Sequence, residues 1–258
     1  MTGLEAALIL LAGIGAGTIN TVVGSGTLIT FPTLLAFGVP PVTANVSNNI
    51  GLVPGSWTGA YGYRRELVGQ RPLVLRLLSA SVLGAGIGAV LLLVLPDSAF
   101  EAVVPVLIGL GVVLVVVQPR LARRVAARAV LRERTGAPVR EHEGRWVWPT
   151  VLGTGIYGGY FGAAQGVLLM GVLGVGVPQD IQRNNAVKNV LAGAVNTVAG
   201  VIFVVVADVD WAIVGLIAVG ATMGGLIGAR VGRRLPPIVL RTVIVVVGVV
   251  ALTTFVVT

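Results

Sequence analysis

Asn185, Lys188 and Asn189 stand at i, i+3 and i+4 in the run RNNAVKNV (residues 183–190), and Asn196 follows at i+11. On a helix these four side chains share one face. Asn45, Asn49 and Ser56 repeat the i, i+4, i+11 spacing earlier in the chain, with Asn48 beside them. Amide N–H groups replace part of an oxyanion's hydration shell, and Lys188, the only lysine in the chain, adds a full positive charge. The chemistry these residues offer is the holding of a small anion. Bond-making chemistry lacks its parts. Ser25 in GSG would need a general base, and the only histidine, His142, lies in a long basic segment. There is no cysteine, and the acids do not cluster within apolar stretches, so no metal site is read. No Gly-Lys-Ser/Thr follows the glycine patterns, which removes a phosphate-binding loop and leaves no cofactor to expect.

These polar faces are set in a chain of 258 residues that is 55% hydrophobic and only 11% charged, with a mean hydropathy of +0.96. That composition excludes a soluble globular domain and predicts an all-α integral membrane protein. Residues 1–10 carry Glu5 and no basic n-region, so the first apolar run is expected to remain as a span. The basic residues fall into four clusters: Arg64 to Arg76, Arg120 to Arg145, Arg183 with Lys188, and Arg230 to Arg241. By the positive-inside rule these mark the inner loops, while Asp97 with Glu101 and Asp208 with Asp210 mark outer ones. The net charge of +8 then reflects topology and attraction to anionic lipid headgroups at the inner loops, and nucleic acid is not an expected partner.

Apolar stretches at about 4–36, 42–63, 73–95, 100–118, 147–176, 185–207, 212–229 and 236–257 give about eight transmembrane segments. The first and fifth are too long for one crossing and must begin and end on the same side, which predicts broken or re-entrant helices turning near VVGSGT (22–27) and FGAAQG (161–166). The alternative is a long tilted helix with glycines for close packing. A shift of 140 residues superposes Gly26 on Gly166, Asn45 on Asn185, Asn49 on Asn189, Ser56 on Asn196 and Leu95-Pro96 on Leu235-Pro236, while GVP at 38–40 and 176–178 fits a shift of 138. Equivalent ends carry opposite charge signatures, Arg64 and Arg65 against Asp208 and Asp210, which predicts two inverted-topology repeats with both termini outside. The expected division is a first membrane repeat at 1–118, a basic cytoplasmic connecting loop at 119–146 and a second membrane repeat at 147–258. The loop reads as an Arg-rich amphipathic segment or a solvated connector with a turn near Gly136 and Pro138, closed by Trp146 and Trp148 as an interfacial anchor.

The runs GSGTLITFPTLLAFGVPPVTANVSNN and GIYGGYFGAAQGVLLMGVLGVGVPQDIQRNNAVKNVLAG, with GGLIGARVGRRLP at 224–236, resemble the repeated motifs of the sulfite exporter TauE/SafE family. Gly24, Gly26 and Pro32 match its Gly-rich break and following proline. The second half keeps Gly162 and Gly166, with Ala163, Ala164 and Gln165 in the break and Val172 where Pro32 would map. The resemblance implies a multi-pass plasma-membrane permease for a small anion, such as a sulfur oxyanion or organosulfonate.

The expected substrate-binding set is therefore Gly24, Ser25, Gly26, Thr27, Asn45, Asn48, Asn49, Ser56, Gln165, Gly166, Asn185, Lys188, Asn189 and Asn196. Half-helix amino termini at the breaks would add backbone N–H groups and partial positive charge. The competing readings are that Arg183 and Lys188 snorkel to headgroups, that the asparagines are interhelical hydrogen bonds, and that Ser25, Thr27 and Gln165 satisfy local backbone. At the level of function, the expectation is a secondary transporter working by alternating access, compatible with a homodimer. A passive anion channel and an assembly protein without transported substrate remain as alternatives.

Overall fold

A computed structural model describes residues 1–135, 144–231, 242, 245 and 246. The described residues form helices with no strand: α1 (Gly3–Val22), α2 (Thr27–Ala36), α3 (Pro41–Gly62), α4 (Arg71–Val94), α5 (Asp97–Thr135), α6 (Val147–Tyr160), α7 (Gln165–Gly176), α8 (Ile181–Val206) and α9 (Trp211–Val231). The expected last span at 236–257, the second Leu-Pro pair, Arg233, Arg234, Arg241, His142 and the turn near Gly136 and Pro138 lie outside the described residues.

Five of these helices are long and apolar enough to cross a membrane: α1, α4, the Asp97–Arg120 part of α5, α8 and α9. By contrast α6 and α7, with 14 and 12 residues, each fall short of a bilayer that needs about 20. The segment expected as a loop from 119 begins as a continuation of α5, which stays helical through Pro119 to Thr135. Its Arg, Ala, Leu and Val content sustains a helix, with no glycine between Arg120 and Thr135 to end it.

Both long apolar stretches are broken where the glycines predict, and each folds back on itself. Gly26 packs against the Ala16 carbonyl and Asn20 Cβ, and Ile29 reaches back to Gly15, so α2 returns along α1. Gly144 N donates to Gly176 O at 3.0 Å, so α6 and α7 begin and end at the same level. Gly24 and Gly162 take positive φ values of 90° and 76°, which is the backbone these turns require. The two breaks correspond at 138 residues, pairing Val22 with Tyr160 and Thr27 with Gln165 as helix ends, whereas α3 and α8 correspond at 140. The superposition of Gly26 on Gly166 thus gives way to Gly24 on Gly162. The two extra residues are taken up in α7, which has 12 residues against 10 in α2, and Asp180 supplies the N-cap of α8 by accepting from Gln182 N at 2.9 Å.

Helices α1, α3 and α9 run in one direction. Gly13 and Gly17 of α1 meet Ile217 and Ala221 of α9, and Gly51, Gly55 and Gly62 of α3 meet Ile217, Ala221 and Ala229. Helices α4, α6 and α8 run the other way: Gly84 and Gly88 of α4 meet Leu152, Ile156 and Tyr160 along α6, and Gly193 and Gly200 of α8 cross α3 in reverse order. The α1–α2 and α6–α7 hairpins therefore enter from opposite ends of the bundle. Their tips touch, with Gly166 N donating to Gly24 O at 3.0 Å. A Cβ on either glycine would fall 2.4 Å from the other's Cα.

Candidate functional site

Because α1 stops at Val22 inside the bundle, its last carbonyls have no partner within the helix. Thr21 O accepts from Asn185 Nδ2 (3.3 Å), Asn189 Nδ2 (3.3 Å) and Lys188 Nζ (3.2 Å), and Asn20 O accepts from Lys188 Nζ at 2.9 Å. A cation at a helix carboxyl end also meets the negative end of the helix dipole. The carboxyl end of α6 is treated alike, with Tyr160 O accepting from Asn45 Nδ2 at 2.9 Å. Asn45 and Asn185 are partners under the 140-residue shift, and each caps a broken helix in the other half of the sequence.

Asn48 stands where Lys188 would map, and it bonds within its own half. Its Nδ2 donates to Thr27 Oγ1 at 3.3 Å, and its Oδ1 accepts from the Thr30 hydroxyl. Ser56 accepts from Asn196 Nδ2 at 3.2 Å and from Asn20 Nδ2 at 3.4 Å, while its own hydroxyl donates to Leu52 O at 3.0 Å. Gly166 lies beside the Lys188 stem, since a Cβ on it would be 3.1 Å from Lys188 Cδ. Gly24, Gly166, Asn185, Lys188 and Asn189 are thus gathered at the meeting tips, Asn45 joins them through α6, and Thr27 with Asn48 and Ser56 with Asn196 form adjoining pairs.

Four buried polar atoms of the set have no hydrogen-bond partner among the described residues: Ser25 Oγ, Gln165 Nε2, Asn49 Oδ1 and Asn185 Oδ1. Lys188 has no exposed surface, and the other polar side chains of the set are at most 8% exposed. Among the described residues Lys188 Nζ meets backbone carbonyls and no carboxylate. Among the described residues the site is closed, polar and free of acids. Edge-to-face packing of Phe31 on Phe161 (centroids 5.1 Å apart) and of Phe100 on Tyr160 (5.7 Å) joins α2 and α5 to the carboxyl end of α6. A cleft of about 410 Å³ opens elsewhere, between Pro40, Thr43, Leu92, Asp97, Glu101 and Asp208, and none of the expected residues lines it. Arg183 is exposed and donates to Val68 O at 2.7 Å, tying α8 to the turn between α3 and α4.

Sequence reasoning missed the acceptors. Asn20, Thr21 and Tyr160 act through backbone carbonyls, which no residue type announces. The available signal was the glycine break itself, because a helix that ends in an apolar setting needs donors for its last carbonyls.

Two broken helices meeting around a buried lysine, in a bundle with five helices long and apolar enough to cross a membrane among the described residues, define a multi-pass membrane protein. The profile of the sulfite exporter TauE/SafE family matches residues 9–255. "Probable membrane transporter protein YfcA" of Escherichia coli K12 is 25% identical over 233 residues, which are 90% of this chain and 82% of the relative. "Probable membrane transporter protein ORF9" of a Sinorhizobium species is 34% identical over 104 residues, 40% of this chain and 39% of that relative. No solved structure matches. The chain belongs to the sulfite exporter TauE/SafE family.

Proposed function

We propose that this transporter carries a small anion, a sulfur oxyanion or organosulfonate such as sulfite or sulfoacetate, by alternating access between two inverted-topology repeats at 1–118 and 147–258 joined by the basic segment 119–146. The observation that carries the reading is Lys188: a cation with no exposed surface, at the contact of the two hairpin tips, whose Nζ meets only carbonyl oxygens among the described residues. A buried cation without a counter-charge is stabilised by an anion beside it. Ser25 Oγ and Gln165 Nε2 supply unpartnered hydrogen-bond donors on the two tips. The anion takes the amide and ammonium donors of Asn185, Lys188 and Asn189 from the carbonyls of α1. Asn45, Asn48, Asn49, Ser56 and Asn196 complete the polar lining, and Gly24, Gly26, Thr27 and Gly166 shape the tips.

The opposite directions of α1 and α6, and the recurrence of helix ends at 138 to 140 residues, support the inverted repeat. The protein then sits in the plasma membrane with both termini outside and its basic segments at anionic inner headgroups.

The test is uptake and counterflow of radiolabelled sulfite in proteoliposomes, against a competing panel of sulfate, thiosulfate, sulfoacetate and acetate. Saturable flux with counterflow is the expected result. Non-saturating flux without counterflow would make the protein a channel, and no flux of any anion would make it a structural membrane protein.

A further inference from the structure

The alternating-access reading leaves open which parts move, and the packing divides the molecule along a line that the sequence halves do not follow. We propose that one moving body is α1–α2, α3 and α9, and the other is α4, α6–α7 and α8, so that each body takes helices from both halves of the chain.

The α1–α9 and α4–α6 seams, one inside each proposed body, are backbone against backbone. A Cβ at Gly13, Gly17, Gly220 or Gly224 would lie 2.1–3.3 Å from main-chain atoms across the α1–α9 seam, and one at Gly84, Gly88, Gly155 or Gly159 would meet the α4–α6 seam at the same range. Helices this close slide or separate only by breaking a continuous line of van der Waals contact. Hydrogen bonds add to each body: Thr18 Oγ1 to Gly224 O (3.1 Å) and Asn48 Nδ2 to Thr27 Oγ1 (3.3 Å) in one, Asn184 Nδ2 to Leu173 O (3.4 Å) in the other.

Contacts between the bodies have a different character. Where α3 crosses α8, a Cβ at Gly193 or Gly200 would meet only side chains, at 3.5–3.7 Å. The hydrogen bonds across this boundary are those of the candidate site: Lys188 to Asn20 and Thr21, Asn185 and Asn189 to Thr21, Asn45 to Tyr160, and Asn196 to Ser56. Trp57 Nε1 to Thr197 Oγ1, at 2.9 Å, adds one more. Such bonds can be exchanged for bonds to a ligand. The tight spots on this boundary are the Gly24–Gly166 tip contact, held by one hydrogen bond, and the Phe31–Phe161 pair, and both must part when the site opens. Binding and movement are thereby the same event, since an anion that takes the donors of α8 removes the bonds that hold the bodies together.

The chain has no cysteine, so introduced pairs report without background. Gly13→Cys with Ile217→Cys links α1 to α9, with the new Cβ 3.2 Å from Ile217 Cα, and Ser81→Cys with Gly155→Cys links α4 to α6 at 3.3 Å. Both pairs join the two sequence halves within one proposed body. Val53→Cys with Gly200→Cys joins the two bodies across α3 and α8, where the Gly200 Cβ would lie 3.7 Å from Val53 Cγ2. Counterflow is measured with labelled sulfate or sulfoacetate in place of sulfite, which would cleave the disulfides, in each oxidised and reduced protein, with disulfide formation checked by loss of thiol labelling. The expected result is flux retained in at least one oxidised within-body pair and lost in the oxidised Val53–Gly200 pair, returning on reduction. Loss of flux in both oxidised within-body pairs, with recovery on reduction, would overturn this division and leave alternating access standing. Flux retained in all three oxidised pairs, or no counterflow in the parent protein, would overturn alternating access and the division with it.

Discussion

Lys188 and Asn20 are joined across two helices: the ammonium of the first donates 2.9 Å to the carbonyl of the second, at the point where α1 ends inside the bundle. The same ammonium donates to Thr21 O at 3.2 Å, so one side chain closes two of the carbonyls that the break leaves open. Lys188→Met keeps the stem and removes both bonds. Hydrogen bonds to a charged group contribute about 1.5–3 kcal/mol, and loss of stability in that range is the expected outcome of thermal unfolding in detergent. Lys188→Arg, which retains donors and charge, should recover much of it.

The two asparagine caps are unequal in a way that stability measurements can read. Tyr160 O has Asn45 as its side-chain donor, whereas Thr21 O keeps Lys188 and Asn189 when Asn185 is removed. Asn45→Ala should therefore cost about 1–3 kcal/mol by leaving a part-buried carbonyl unpaired, and Asn185→Ala clearly less. Equal losses in the two variants would contradict the capping assignment.

Gly24→Ala and Gly162→Ala both place a side chain at positive φ, 90° and 76°. They differ in what the Cβ meets, Gly166 Cα at 2.4 Å in the first and the Gly158 carbonyl at 3.0 Å in the second. Each bears a backbone strain of about 1–3 kcal/mol, but only Gly24→Ala must also push the tips apart. The melting temperature should fall further for Gly24→Ala, and its counterflow should fall with it.

Orientation is open to single-cysteine labelling in the cysteine-free chain. On the proposed topology, Thr2→Cys and Ser98→Cys react with an impermeant maleimide from outside, while Arg71→Cys and Gly144→Cys react only after the membrane is opened. Reaction of Thr2→Cys from the inside alone would contradict the outside amino terminus and the inverted repeat with it.

Much of this architecture was legible in residue types. Long apolar runs and arginine clusters marked the spans, and glycines at 24, 26, 162 and 166 marked the breaks, because a backbone turn at membrane depth needs them. The asparagine faces were visible from their helical spacing. The acceptors of those asparagines were not, since the carbonyls of Asn20, Thr21 and Tyr160 depend on where α1 and α6 stop and not on what residues they carry. The helix partners were equally hidden: Gly84 and Gly224 announce close packing, but nothing in their spacing says that the first meets α6 and the second α1. The two-residue offset at the second break was masked by the abundance of glycine, which made Gly26 on Gly166 as good a match as Gly24 on Gly162. Arg120 to Thr135 read as an Arg-rich amphipathic segment or a connector, and its composition did not say that it continues α5 without a break.

The measurement that tests the central claim most directly is counterflow of labelled sulfite and the competing anions in proteoliposomes containing parent protein, Lys188→Met or Lys188→Arg, each matched for folded protein. Losing a charged hydrogen bond to the substrate corresponds to about 1.5–3 kcal/mol, or roughly ten- to a hundredfold in apparent affinity. The account predicts a loss of that size in Lys188→Met and substantial retention in Lys188→Arg. Undiminished saturable flux in folded Lys188→Met would confine Lys188 to capping α1 and remove the anion from the meeting point of the tips.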